Sequence, residues 1–124
     1  MRKERINNVS EMDVFKLGHE LTLDIYKITS KFPKEEQFDL VSQMRRASYS
    51  ICSNLSEGSY RNNTKEFKQF CGIARGSAAE LKYFILLAKD LGYIDENNYT
   101  VLLDRVDLIT KMLYKLIKVL EVKL

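Results

Sequence analysis

A chain of 124 residues can bury one core that folds alone, and is too short for two domains with separate cores. Its composition, 45% hydrophobic and 30% charged with one proline, five glycines and no tryptophan, excludes a disordered chain and argues against a many-stranded sandwich. Lys and Arg number 20 against 17 Asp and Glu, so a net charge of +3 settles nothing about partners, and only the placement of the charges bears on them.

The first residues are basic but lead into no apolar signal region, and the longest apolar stretch, residues 83–88, is far too short to span a bilayer. The expectation is a cytoplasmic protein with no membrane association, in which residues 1–12 form a mobile arm and residues 13–124 one helical domain. Asp13 opens a first helix on which Phe15 or Leu17, Leu21, Ile25 and Ile28 recur at helical spacing until Phe32-Pro33 breaks it. Glu35 and Glu36 are placed to open a second helix, with Val41, Met44, Ser48, Ile51 and Leu55 on one face, running to about Tyr60.

Asn62-Asn63-Thr64 reads as a turn, and Asn63 with Glu66 resembles a capping box for a third helix. Its seam is Phe67, Cys71, Ala74, Ala78, Leu81, Ile85 and Ala88, widened by Phe70, Phe84 and Leu91, and Gly92 stops it. Asp95 caps a fourth helix carrying Leu102 or Leu103, Val106, Ile109, Leu113, Leu116 or Ile117, and Leu120. Four helices with short connections predict an all-α, antiparallel up-down four-helix bundle.

The residue inventory argues against an enzyme. His19 is the one histidine, no Glu-x-x-His pair of the di-metal kind is present, and phosphate loops and nucleophile elbows are missing. No catalytic residue, metal or cofactor is expected. Cys52 and Cys71 form no metal motif and read as reduced core thiols.

Beside its apolar face the second helix carries Gln43, Arg46, Ser50, Asn54, Glu57 and Arg61 at steps of three or four. Short polar side chains beside a seam usually satisfy one another, so Gln43, Ser50, Asn54, Glu57 and Arg61, with Glu80, are expected to form a structural polar network. In a hairpin turning at Asn62-Asn63, residues whose numbers sum to about 124 lie level, which brings Arg45-Arg46 near Glu80 and Cys52 near Cys71. For the arginine pair, a salt bridge inside the bundle and a phosphate contact are the two readings. The same register sets Ala47 and Ser48 opposite Gly76 and Ser77, so Gly72 and Gly76 are expected to let the two backbones approach closely.

Basic residues draw two lines. Lys68, Arg75, Lys82 and Lys89 fall every seven residues on the third helix behind Lys65, and Lys111, Lys115 and Lys118 draw a shorter line on the fourth. Glu66, Glu80, Asp104 and Asp107 sit nearby, so a merely solvated surface competes with a binding surface.

The run Phe32-Pro-Lys-Glu-Glu-Gln-Phe-Asp-Leu-Val-Ser-Gln-Met-Arg-Arg-Ala-Ser-Tyr-Ser-Ile-Cys-Ser-Asn-Leu-Ser-Glu-Gly58, with Phe67-x-x-Phe-x-x-Ile-Ala-Arg-Gly-Ser-x-x-Glu80, resembles the bacterial family of 23S rRNA intervening-sequence proteins. The similarity runs from about Asp13 through Leu91-Gly92-Tyr93 and is weaker over the last helix. The resemblance implies an up-down bundle assembled as a homopentamer ring, related in fold to the accessory variability protein of diversity-generating retroelements, with no enzymatic activity. Carried across residue by residue, the family pattern falls on Gln43, Arg45, Arg46, Ala47, Ser50, Asn54, Glu57, Gly58, Arg61, Ala74, Arg75, Gly76, Ser77 and Glu80. Phe15 stands where many relatives have tryptophan, Cys52 where they often have proline, and Ser56 where alanine is usual, so the second helix lacks that proline's kink.

Residues and resemblance together lead to one expectation: a non-catalytic homo-oligomer that binds nucleic acid, RNA above DNA, through Arg45, Arg46, Lys65, Lys68, Arg75, Lys82 and Lys89. Tyr49, Tyr60 and Tyr83 are aromatics that could add stacking, although tyrosine on a bundle is more often packed. The rival is a scaffold whose ring presents a platform to a partner enzyme, the basic lines serving solubility; a remnant protein of a selfish element is a third reading.

Overall fold

The computed structural model describes residues 9–124. It contains four α-helices, α1 (Asp13–Thr29), α2 (Leu40–Ser59), α3 (Thr64–Asp90) and α4 (Glu96–Val122), and one 3-10 turn, Lys34–Glu36. They form an antiparallel bundle in which α2 packs on α3, α3 on α4 and α1 on α2, with a lighter contact between α1 and α4. Residues 1–8 of the expected arm lie outside the described residues, while Val9 is buried and Met12 packs against the core, so residues 9–12 already belong to the bundle.

The α3 seam is buried as its spacing requires, from Phe67 through Ala88, and on α4 Leu102, Val106, Ile109, Leu113 and Leu120 face it. On α1 the buried stripe is Val14, Gly18, Leu21, Thr22, Ile25 and Thr29, with Phe15, Leu17 and Ile28 only partly covered. Two threonines enter the stripe because each hydroxyl is satisfied within the helix: Thr22 Oγ1 donates to the Gly18 carbonyl at 2.9 Å and Thr29 Oγ1 to the Ile25 carbonyl at 2.7 Å.

The start of the second helix differs from the sequence expectation. Glu35 and Glu36 belong to the 3-10 turn, and α2 begins at Leu40 behind Asp39, whose backbone (φ −125°, ψ −101°) leaves the helical path. The cause is tertiary: Phe32 is buried and stacks at 5.2 Å on Tyr93, and the Tyr93 hydroxyl donates to Glu36 Oε2 at 2.7 Å. That hydrogen bond, with burial and the charges of Glu36 and Glu35, pushes the Tyr93 phenol pKa up. The connector is thereby tied to the α3–α4 turn across the end of the bundle.

The other ends follow local rules. Asn63 Oδ1 accepts the Glu66 N–H at 2.8 Å and Asn63 Nδ2 donates to Glu66 Oε1 at 3.1 Å, a variant of the capping box in which the amide side chain, not the backbone, meets the carboxylate. Gly92 takes φ +83°, with Gly92 N–H on the Lys89 carbonyl and Tyr93 N–H on the Ala88 carbonyl, both at 2.9 Å, which is the Schellman pattern. Asp95 Oδ1 then accepts the Asn98 N–H at 2.7 Å to start α4.

The close approach of α2 and α3 lies elsewhere than expected. A Cβ placed on Gly72 or Gly76 would meet nothing within 4 Å, so both glycines face open space. Gly58 makes the contact instead: a Cβ there would stand 2.7 Å from Phe70 Cβ and 2.9 Å from Phe67 Cδ1. Level pairing across the hairpin holds, with Ser50 and Ser77 hydroxyls 3.2 Å apart and Ala47 and Ser48 fully buried, but Ser77 and not Gly76 turns towards α2.

Candidate nucleic-acid interface

Each cation expected to meet nucleic acid has a definite setting. Arg45 is bound to α1: its Nε donates to Thr29 Oγ1 at 3.0 Å, its Nη2 to the Tyr26 carbonyl at 3.2 Å, and its guanidinium lies 4.5 Å from the Tyr26 ring centroid. A cation at a helix C-terminus that also donates to a carbonyl of the last turn is stabilising. Arg46 Nη2 meets Glu80 Oε2 at 2.8 Å and Gln43 Oε1 at 2.9 Å, the salt bridge anticipated for the pair.

The basic line on α3 is largely neutralised from α4. Lys68 faces Glu121 at 3.7 Å, Lys82 faces Asp107 at 2.9 Å, and Lys89 reaches Glu96 and Asp90 at 3.8 Å and lies over the Tyr99 ring. Such half-exposed pairs contribute only about 0–1 kcal/mol each, but they lower the positive potential along the line. Lys65 and Arg75 have no carboxylate partner among the described residues.

The residues expected to form the polar network lie along the α2–α3 edge in three pieces. Gln43, Arg46 and Glu80 form the first; Ser50 meets Ser77 and accepts at its carbonyl from Asn54 Nδ2 at 2.7 Å; Arg61 joins Glu57 at 2.8 Å and Glu66 at 3.8 Å. Ser50 Oγ also donates to the Arg46 carbonyl at 3.0 Å, which ties the first two pieces through the α2 backbone, while among the described residues no side-chain bond joins them to the Arg61 piece.

Arg75 is different. It makes no hydrogen bond or ion pair with the described residues, and its guanidinium carbon sits 5.0 Å from the centroid of the Tyr114 ring on α4. The hairpin between α3 and α4 brings Lys111 and Lys115 beside it, and both are exposed and likewise without a carboxylate partner. Together with Leu108, Thr110, Met112 and Tyr114 these three cations line a cleft of about 350 Å³. Arg75 and Thr110 also line an adjoining depression whose floor includes Gly72, Gly76 and Ala79. Lys111 and Lys115 are legible as part of the α4 line; Tyr114 between them was missed, since only the pairing of α3 with α4 sets it under Arg75.

The remaining candidate chemistry is subdued. Cys52 Sγ donates to the Phe15 carbonyl at 3.2 Å and Cys71 lies in the central core; burial pushes their thiols up to about 11 and about 12, so neither is a ready nucleophile. Both are free thiols. His19 is exposed. Among the described residues no group of three or more His, Cys, Asp or Glu is set to hold a metal ion, and no helix is long and apolar enough to cross a membrane.

Fold and surface define a helical-bundle protein in which three cations without a carboxylate partner, Arg75, Lys111 and Lys115, line one cleft where its third and fourth helices meet. Residues 10–115 match the family described as 23S rRNA-intervening sequence protein, and the chain belongs to that family. A crystal structure of a protein of unknown function of the S23 ribosomal protein family, from Bacteroides thetaiotaomicron, superposes with a TM-score of 0.78. It is 24% identical in sequence, and the match covers 85% of this chain and 95% of that one, which supports the same fold. No curated protein matches the chain.

Proposed function

We propose that this member of the 23S rRNA-intervening sequence family is a non-catalytic nucleic-acid-binding protein, favouring RNA, that works in the cytoplasm as a homo-oligomer, with a pentameric ring as the expected assembly. The observation that carries this reading is the cluster of Arg75, Lys111 and Lys115: two helices bring three cations to one cleft and supply no carboxylate to any of them. Three unneutralised cations lining one cleft favour a polyanion, because each phosphate contact releases a condensed counterion. Family membership agrees with an RNA-linked role without specifying one.

Relative to the sequence expectation, the weight moves from Lys68, Lys82 and Lys89, which α4 acids hold, to Arg75, Lys111 and Lys115. Oligomerisation is supported by apolar side chains left on the outside of a single copy and away from the cleft, among them Ile73 and Tyr83 on α3 and Val101 and Val119 on α4. A ring would repeat the basic cleft around its axis and raise avidity.

Fluorescence anisotropy with labelled RNA at low and physiological salt tests the reading. Binding that weakens with salt and is lost in Lys111→Glu/Lys115→Glu, while Lys68→Glu/Lys82→Glu retains it, is the expected result. Absence of binding even at low salt would leave the scaffold reading, a ring offering a platform to a partner enzyme, as the one to pursue.

A further inference from the structure

The cleft between α3 and α4 has two characters side by side. Its rim is cationic, from Arg75, Lys111 and Lys115, and its lining is apolar, from Leu108, Met112 and the ring of Tyr114. It continues past Arg75 into the depression floored by Gly72 and Gly76, where no atom stands within 4 Å of a would-be Cβ. A ligand that satisfies both characters must present a flat apolar face and an anionic group a few ångströms apart.

From this we infer that the cleft takes unpaired nucleotides of a single-stranded nucleic acid, phosphates on the three cations and a base over the open floor beside Arg75; this rests on the nucleic-acid reading above. A duplex shows phosphates but hides the faces of its bases in the stack, so it would use the rim and leave the apolar lining wet. A single strand can splay a base onto an aromatic or guanidinium plane. Arg75 is arranged for that task. Tyr114 holds its guanidinium in place, and all of its N–H donors are free for a phosphate oxygen.

The footprint is also local. Along the rest of α3 the cations Lys68, Lys82 and Lys89 already face acids, so the site engages two or three successive phosphates and not a long track. For three phosphates of a single strand, log affinity against log salt has a slope of roughly −2.

Gly76→Leu separates this from simple charge attraction, because it fills the floor and keeps every cation, and its Cβ enters open space. Anisotropy is read with a short single-stranded RNA and with the same strand annealed to its complement; thermal melting verifies that the variant folds. The expected result is tighter binding of the single strand by wild type, a loss of about tenfold in Gly76→Leu, and an unchanged salt slope near −2. Equal affinity for strand and duplex, or full affinity in Gly76→Leu, overturns the inference while leaving nucleic-acid binding intact. Binding of neither probe at low salt overturns both. A fall in solution mass of Gly76→Leu by light scattering assigns the groove to a second copy of the chain. Displacement of the RNA by an acidic peptide with apolar residues, at lower concentration than unlabelled RNA, assigns it to a protein partner; either outcome overturns the inference.

Discussion

Gly58 on α2 and Phe70 on α3 stand so close that a Cβ on the glycine would lie 2.7 Å from Phe70 Cβ, with Phe67 Cδ1 at 2.9 Å. The Phe70 contact is to the root of its side chain, which moves only with the backbone. Gly58→Ala therefore forces the α2–α3 hairpin apart near its turn, and a destabilisation of about 1–3 kcal/mol is expected from urea unfolding.

Gly72 and Gly76 give the opposite sign. Both are helical, and a Cβ on either meets nothing within 4 Å. Replacing either by alanine removes unfolded-state freedom at no steric cost, so each substitution should raise stability by about 0.5–1 kcal/mol, read in the same urea titration.

The tandem arginines should differ. Arg46 and Glu80 are each more than two-fifths exposed, and Arg46→Ala is expected to cost no more than about 1 kcal/mol. Arg45 bonds the Thr29 hydroxyl and the Tyr26 carbonyl and covers the Tyr26 ring, so Arg45→Ala should cost more, about 1–3 kcal/mol. Chemical denaturation of the two single variants decides the order, and equal losses would contradict it.

The buried thiols predict a pH dependence. Both pKa values rise from 9.0 in the unfolded reference, to about 11 for Cys52 and about 12 for Cys71. The folded protein thus holds these protons after the unfolded chain has released them. Their contribution to stability is constant below about pH 9 and declines above it, until each folded-state pKa is passed. Cys71→Ala should unfold more readily at neutral pH and show a shallower alkaline decline, measured by urea titrations from pH 8 upward. In native protein at pH 8 both thiols should resist alkylation.

Most of the fold was legible because its signals are local and redundant. The α3 seam repeats over many turns, Asn63 and Asp95 cap as their side chains dictate, and Gly92 supplies the positive φ that ends α3. The start of α2 was not legible, since Glu35 and Glu36 favour a helix start by charge and only the contact of Phe32 and Glu36 with Tyr93 holds the connector away from one. The glycine stripe misled for a related reason: register placed Gly76 and Ser77 level with α2, but which of two neighbours points inward depends on helix rotation. At the candidate interface, sequence located the basic lines, yet whether a lysine is free or held depends on pairing between α3 and α4. Thus Lys82 opposite Asp107 and Arg75 over Tyr114 look alike in sequence and differ in the folded chain.

The α1 stripe described above has a kinetic consequence. This helix has 17 residues against 27 in α3 and α4, fills part of its inward face with Gly18, Thr22 and Thr29, and meets α4 through the Asp24–Arg105 pair at 2.8 Å. With fewer buried methylenes to hold it, α1 can lift from the α2–α3–α4 unit without melting that unit, and its amides should exchange with solvent deuterium through an opening cheaper than global unfolding. The molecule is thus graded in persistence, with the helices that build the cationic cleft in its slow-exchanging part and α1 in the part that breathes first.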